Sequence, residues 1–247
     1  MSATATVAPG VHRLGSAYVN FYLVESGDGL TLVDAGLPGY FSRLETTLRD
    51  LGRTLADIDA VVLTHGHVDH VGVAERVRTE SPAPVWIHPA DETMARTAKP
   101  QEREGGALGY LRHPALYRFL FEAVRHDPRP TKVAELSTFP AEGGVLDVPG
   151  RPRAVPTPGH SKGHCALLLE EPGVLLAGDA LCTYNPLTGA RGPQLLPTAF
   201  ANSVARALES LDAVAATEAG TVLPGHGEPW TGGARAAAER ARATGPT

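Results

Sequence analysis

Residues 60–72 read AVVLTHGHVDHVG. Four apolar residues and Thr64 form a short buried strand by pattern, and at its end His65, His67, Asp69 and His70 crowd into six positions. His65 and His67 are two residues apart, so an extended backbone points their imidazoles the same way. Asp69 and His70 fall where the chain turns into a helix, with Gly66 and Gly72 easing the backbone. Three imidazoles packed this closely have little structural use. They surround a cation from one side and need partners to close the shell.

Strand and helix patterns alternate around this stretch. Residues 11–15 and 17–26 read as strands, and a Gly-Asp-Gly turn at 27–29 leads to LTLVDAG, the last two runs forming a hairpin. Phe41, Leu44, Leu48 and Leu51 recur at helical spacing over 40–52. A helix over about 69–80, a strand at 85–88 and a helix from Pro89 follow the histidine cluster. Further strands are expected at 145–148, 153–157, 164–170, 173–179 and 221–224, with helices over 199–217 and 232–243. This alternation predicts an α/β architecture with a packed sheet. No composition shift cuts the 247 residues, so 1–247 is read as one domain. Residues 97–130 interrupt the strand order with amphipathic helix, as Leu116, Phe119, Leu120 and Val124 show. That segment either roofs a pocket or packs as ordinary helix. Residues 180–197 are rich in turn formers and are expected to form an irregular surface loop.

Hydrophobic content of 43% and charged content of 20% suit a soluble globular chain. A formal net charge of −5 gives no general attraction for nucleic acid or anionic membranes. No apolar run approaches the roughly 20 residues that span a bilayer, and the first ten residues lack a signal-peptide pattern. Cys165 and Cys182 are too few for a disulfide scaffold and read as two reduced, buried thiols. The expectation is a soluble cytoplasmic protein whose partner is a small-molecule substrate, with no nucleic acid and no membrane. Self-association into a homodimer is left open.

Three more positions follow buried strands and sit among glycines: His160 in TPGHSKGH, Asp179 in LAGDA and His226 in LPGHGEP. Strand ends feeding glycine-rich loops present functional side chains on a fixed backbone. Nitrogen and hard oxygen donors without thiolate suit zinc, and also iron or manganese. His12, His88, His113 and His126 have no such setting and read as ordinary core or surface residues.

Through THGHVDH, the later Gly-His, Gly-Asp and Gly-His elements and VDAG at 33–36, the chain resembles the metallo-β-lactamase superfamily from about residue 11 to 229. The resemblance implies an αββα sandwich, two mixed sheets face to face with helices outside, and a metal site at one edge. It implies that His65, His67 and His160 hold one metal, that Asp69, His70 and His226 hold a second, and that Asp179 bridges both. Asp34 matches a family aspartate that braces the metal loops without binding metal. Two zinc ions sharing a hydroxide would then cleave a small ester, thioester or lactone, with Asp69 orienting the nucleophile or carrying a proton. Tyr184, five residues past Asp179, is a candidate hydrogen-bond donor to the oxyanion, and Asn20 is a weaker site candidate. His164 reads as a donor that orients a ligand.

Among branches of the family, exported β-lactamases lack the bridging aspartate, and the nuclease and flavodoxin-fused branches carry domains not seen here. TPGHSKGH resembles the third motif of glyoxalase-II-like thioesterases, whose glutathione-binding helical domain has no counterpart in the roughly twenty residues after His226. Acyl-homoserine lactonases share TPGHSxGH, the bridging aspartate and a nearby tyrosine. A mononuclear iron, persulfide-dioxygenase-like oxidoreductase and a non-catalytic ligand-binding member are the alternative readings.

Overall fold

The computed structural model describes residues 5–27 and 29–246. The tip of the expected turn, Asp28, and the first four residues of the N-terminus read as leader-free lie outside the described residues. Seven strands form a first sheet in chain order: β1 (Ala5–Ala8), β2 (Val11–Gly15), β3 (Asn20–Ser26), β4 (Gly29–Val33), β5 (Ile58–Val62), β6 (Val85–Ile87) and β7 (Ser137–Thr138). The first four pair antiparallel, with Tyr22 opposite Val33 and Ser26 opposite Gly29 closing the expected hairpin. From β4 onward the pairing is parallel, because helices carry the chain back between strands. These are α1 (Phe41–Asp50), α2 (Val68–Val71), α3 (Ala74–Glu80), α4 (Pro89–Thr97) and α5 (Pro114–Arg125).

A second sheet holds β8 (Gly144–Val145), β9 (Arg153–Pro156), β10 (Cys165–Leu169) and β11 (Val174–Gly178). Next come a two-stranded ribbon, β12 (Cys182–Tyr184) with β13 (Arg191–Gln194), and helix α6 (Val204–Ala216). Strand β14 (Thr221–Pro224) then joins the second sheet parallel to β11, giving the order β14-β11-β10-β9-β8, and α7 (Ala234–Thr244) closes the chain.

The two-residue period of the strands sorts side chains into layers. Tyr22 and Val24 of β3 meet Leu167 and Leu169 of β10 between the sheets. Their neighbours Phe21 and Leu23 turn outward onto Leu44 and Leu48 of α1 and Val77 of α3. On the other side, Ala166 and Leu168 pack against Leu211 and Val214 of α6 and against Ala237, Ala238 and Ala241 of α7. The result is the expected αββα sandwich. Cys165 and Cys182 are buried free thiols, and burial raises the Cys165 thiol to about 12.

Four expectations differ from the structure. The helix over 69–80 is broken into α2 and α3 at Gly72, where the backbone of 35–37 docks. Gly72 N–H donates to Gly36 O at 2.9 Å and Val73 N–H to Ala35 O at 3.0 Å, and a Cβ on Gly72 would stand 2.2 Å from Gly36 O. Residues 180–197 are not a surface loop. Leu181, Cys182, Asn185, Leu187 and Gln194 are buried, because the β12–β13 ribbon lies under α7 and shares its core through Leu181 and Leu195. The turn formers there shape the ribbon's bend. Helix α6 also starts later than expected, at Val204, where Ser203 Oγ caps the Arg206 N–H. The strand expected at 145–148 shrinks to β8.

Candidate metal centre

β5, β9, β11 and β14 end on one edge of the sandwich, and each releases a loop there. β5 runs into His65 and His67, and α2 carries Asp69 and His70. The other loops carry His160, Asp179 and His226. All seven residues expected to ligate converge. Asp179 Oδ2 lies 3.2 Å from both His160 Nε2 and His226 Nε2 and 3.9 Å from His65 Nε2, while Asp179 Oδ1 lies 3.5 Å from His70 Nε2. Asp69 Oδ2 is 3.6 Å from His226 Nε2, and His67 Nδ1 is 2.7 Å from His160 Nε2. Donor atoms of His65, His67 and His160 lie within 4.8 Å of one another, as do those of Asp69, His70 and His226. Asp179 with His65 and His70 forms a third such group between them.

The donor set fits a metal. His65 Nε2, His70 Nε2 and Asp179 Oδ1 are buried without hydrogen-bond partners, an arrangement that costs about 1–3 kcal/mol per atom unless something fills it. The opposite nitrogens are satisfied, which sets the tautomers. Thr64 Oγ1 donates to Asp34 and accepts from His65 Nδ1–H at 3.0 Å; His70 Nδ1–H donates to Asp34 Oδ2 at 2.9 Å. His226 Nδ1–H donates to Tyr18 O. In each of these three rings Nε2 is left facing the cluster.

Electrostatics divide the ligands. Burial holds His65 and His160 well below the ordinary imidazole value, and His67 below it, so these rings are neutral and ready to donate. Burial acts the same way on His70 and His226, but the Asp179 carboxylate overrides it and raises both, with Asp34 adding to the effect at His70. Burial would raise Asp179, yet His226, His70 and His160 hold it well below the usual carboxylate range. Without metal, Asp179 favours the protonated form of His70 and His226. Metal uptake therefore competes with protons at both rings and is expected to release protons. Calorimetry in two buffers of different ionisation enthalpy measures the number released; affinity should rise with pH as the two rings lose their protons.

The supporting residues are placed as follows. Asp34, at φ 58°, accepts from Thr64 N–H at 2.8 Å as well as from His70, so it braces both ends of the cluster. His164 differs from its expected donor role at the ring's inner nitrogen. Its Nε2 accepts the Asp179 backbone N–H at 2.8 Å while Nδ1–H donates to Thr157 Oγ1, and burial lowers it to about 4. Asn20 stays out of the centre. Its amide donates to Pro224 O and Gly227 O, holding the loop that carries His226.

Sequence reading missed Asp91. This fully buried carboxylate accepts from Gly66 N–H, between His65 and His67, and from Ser161 Oγ and Gly163 N–H beside His160. It thereby ties the two loops of the first ligand group together. In sequence it looks like any acid in the first turn of α4, where the helix dipole favours negative charge.

The Tyr184 side chain does not line the cavity over the cluster, although its backbone N–H donates to His226 O at 3.3 Å. It is buried, packs edge-on against Tyr18 at 5.6 Å between ring centroids and lines the neighbouring clefts with Arg191. The cavity over the cluster, about 170 Å³, has His67, Asp69, His160, Asp179 and His226 at its floor. Phe119 and Ala123 of α5, Leu37, Leu196 and Phe200 form its apolar walls, and Arg103 stands at its rim. The inserted segment thus roofs the site. Tyr184→Phe is expected to leave kcat/KM within about threefold of the parent, read in any hydrolytic assay that the protein supports.

The comparisons with known proteins agree with this geometry. The family model described as "Metallo-beta-lactamase superfamily" matches residues 14–226, so the chain belongs to that superfamily, whose members are largely metal-dependent hydrolases. Similar proteins include the "Probable metallo-hydrolase YflN" of Bacillus subtilis, 28% identical and aligned over 91% of this chain and 86% of that protein. The "Hydroxyacylglutathione hydrolase" of Alkalilimnicola ehrlichii is 31% identical over 58% of this chain and 40% of that one. Among solved structures, the metallo-beta-lactamase family protein TTHA1429 of Thermus thermophilus matches at TM-score 0.69 and 28% identity, over 97% of this chain and 80% of that chain. BJP-1, a subclass B3 metallo-beta-lactamase of Bradyrhizobium japonicum, shares the fold at TM-score 0.68 with 17% identity, over 98% of this chain and 91% of that chain. Among the described residues no helix is long and apolar enough to cross a membrane.

Proposed function

We propose that the chain is a hydrolase with a two-metal centre, zinc by preference, that cleaves a small, partly apolar ester, thioester or lactone. The carrying observation is that two histidine-rich donor groups meet at Asp179 on the floor of a cavity walled by Phe119, Leu37, Leu196 and Phe200. When bound, two divalent ions at such a site polarise a carbonyl and make water nucleophilic near neutral pH. The apolar walls hold the acyl or alkyl part of the substrate and keep bulk water away from the carbonyl. Asp69 is the carboxylate suited to proton transfer. Its side chain is 18% exposed against 2% for Asp179, so it reaches the cavity and its water. Water oxygen bonds to the carbonyl carbon, the bond to the leaving oxygen or sulfur breaks, and Asp69 passes the water's proton to that leaving atom. The two buried free thiols, Cys165 and Cys182, support a place in the reducing cytoplasm.

Metal analysis of the purified protein together with a panel of thioesters, lactones and aryl esters tests this reading. Two zinc ions per chain and turnover of at least one of these classes are expected. One iron per chain with oxygen uptake, or a metal-loaded protein inert across the panel, would overturn it.

A further inference from the structure

Helix α5 is apolar on two opposite faces. One face, with Phe119 and Ala123, covers the metal cavity. The other carries Tyr117, Leu120, Phe121 and Val124, spaced i, i+3, i+4 and i+7, so they form a single stripe along the helix. These side chains are 48–67% exposed, and Leu108 and Leu111 in the turn before α5 extend the patch at 83% and 51%. The Tyr117 hydroxyl donates to Leu111 O at 2.8 Å, which joins the turn to the stripe. Elsewhere among the described residues the only large apolar side chains of comparable exposure are Val68 and Val145. Six such side chains in one place are an interaction surface, because isolated exposed hydrophobics are ordinary and contiguous ones are not.

The geometry points to a second copy of this chain as the occupant, with α5 packed antiparallel on α5 across a two-fold axis at Leu120 and Phe121. The stripe is self-complementary: in that arrangement Tyr117 of one copy meets Val124 of the other, and Leu120 of one meets Phe121 of the other. No charge lies within the stripe, so pairing leaves no buried charge without a partner. Arg118 and Arg125 flank it and stay in solvent at the rim, where long cationic side chains are tolerated. The patch amounts to on the order of 600 Å² of apolar surface per chain, so two copies bury about 1,200 Å², the lower bound of a specific interface. Self-pairing would hold the two cavity roofs back to back.

Sedimentation equilibrium of the metal-loaded protein over about 1 to 200 µM tests this, a range that reaches the weak association expected at the lower bound of specific interface size. The expected result is a reversible transition to twice the 25.9 kDa chain mass. The double variant Leu120→Glu, Phe121→Glu should weaken the dimer by at least about 100-fold with an unchanged circular dichroism spectrum. Val145→Glu, equally exposed in β8, should leave it intact. A wild-type chain that stays monomeric throughout overturns the proposal, as does a dimer that survives the double variant. A monomer that co-sediments with phosphatidylglycerol vesicles through the same residues would do so too, by showing lipid to be the occupant.

Discussion

Asp179→Asn is expected to cost at least half of the bound metal and about a thousandfold or more in kcat/KM, with the fold retained. The carboxylate stands within 3.2–3.9 Å of four histidines belonging to both ligand groups. His226, His70 and His160 hold it ionised despite its burial, so a negative charge sits between the two donor groups. Asparagine keeps the shape but removes that charge, and its NH₂ faces either a ring nitrogen or a cation. On the proposed two-metal reading, the two ions would lose both the charge between them and the contact that couples them, so occupancy and turnover should fall together. The backbone is kept by His164, which accepts the residue-179 N–H whatever the side chain. Elemental analysis, kinetics and circular dichroism on one preparation check the three parts. Near-normal turnover would remove Asp179 from the centre.

The second large effect concerns Asp34, which touches no cation position. It accepts the Thr64 N–H, the Thr64 hydroxyl and the His70 Nδ1–H, and is only 2% exposed. Asp34→Ala leaves three buried donors without an acceptor and places a methyl-bearing residue at φ 58°. A loss of about 3 kcal/mol in stability is expected, together with about 10- to 100-fold weaker metal binding. Asp34→Asn separates the two contributions. Asparagine tolerates the left-handed backbone and still accepts from Thr64, but its NH₂ confronts His70 Nδ1–H. His70 must then move its proton to Nε2, the nitrogen that faces the cluster, so metal affinity should fall while thermal stability stays within about 1 kcal/mol of the parent. Thermal unfolding of metal-free protein and competition with a chelating dye give the two readings. Equal losses in both variants would mean that Asp34 acts only through general packing.

The ligand set was legible because metal chemistry restricts residue types and strand ends restrict their positions. THGHVDH is dense enough to exclude ordinary packing, and His160, Asp179 and His226 each follow an apolar run into a glycine-bearing loop. The layered sandwich was legible only through the family resemblance, since strand and helix alternation by itself reaches no further than an α/β architecture with a packed sheet. Asp91 escaped notice because its partners Gly66, Ser161 and Gly163 are distant in sequence and carry no signature of a carboxylate acceptor. Tyr184 could not be placed from the sequence, since proximity in sequence to Asp179 says nothing about direction once the chain enters β12, where its ring packs on Tyr18.

The motif resemblance was therefore enough to reach the family, with the αββα architecture and the seven metal-centre side chains it implies, whereas residue types and periodicity by themselves led to an α/β chain with a histidine-rich metal cluster. The folded chain settled matters that depend on which surfaces face each other. It showed that α2 and α3 part at Gly72 to admit the 35–37 backbone, and that the 180–197 segment is buried under α7. It also assigned one face of α5 to the cavity roof and left the other to solvent. Helix α5 carries apolar residues on more than one face, with Arg118, Glu122 and Arg125 on the remaining side, so periodicity could not choose between its apolar faces; packing against the metal edge of the sandwich did.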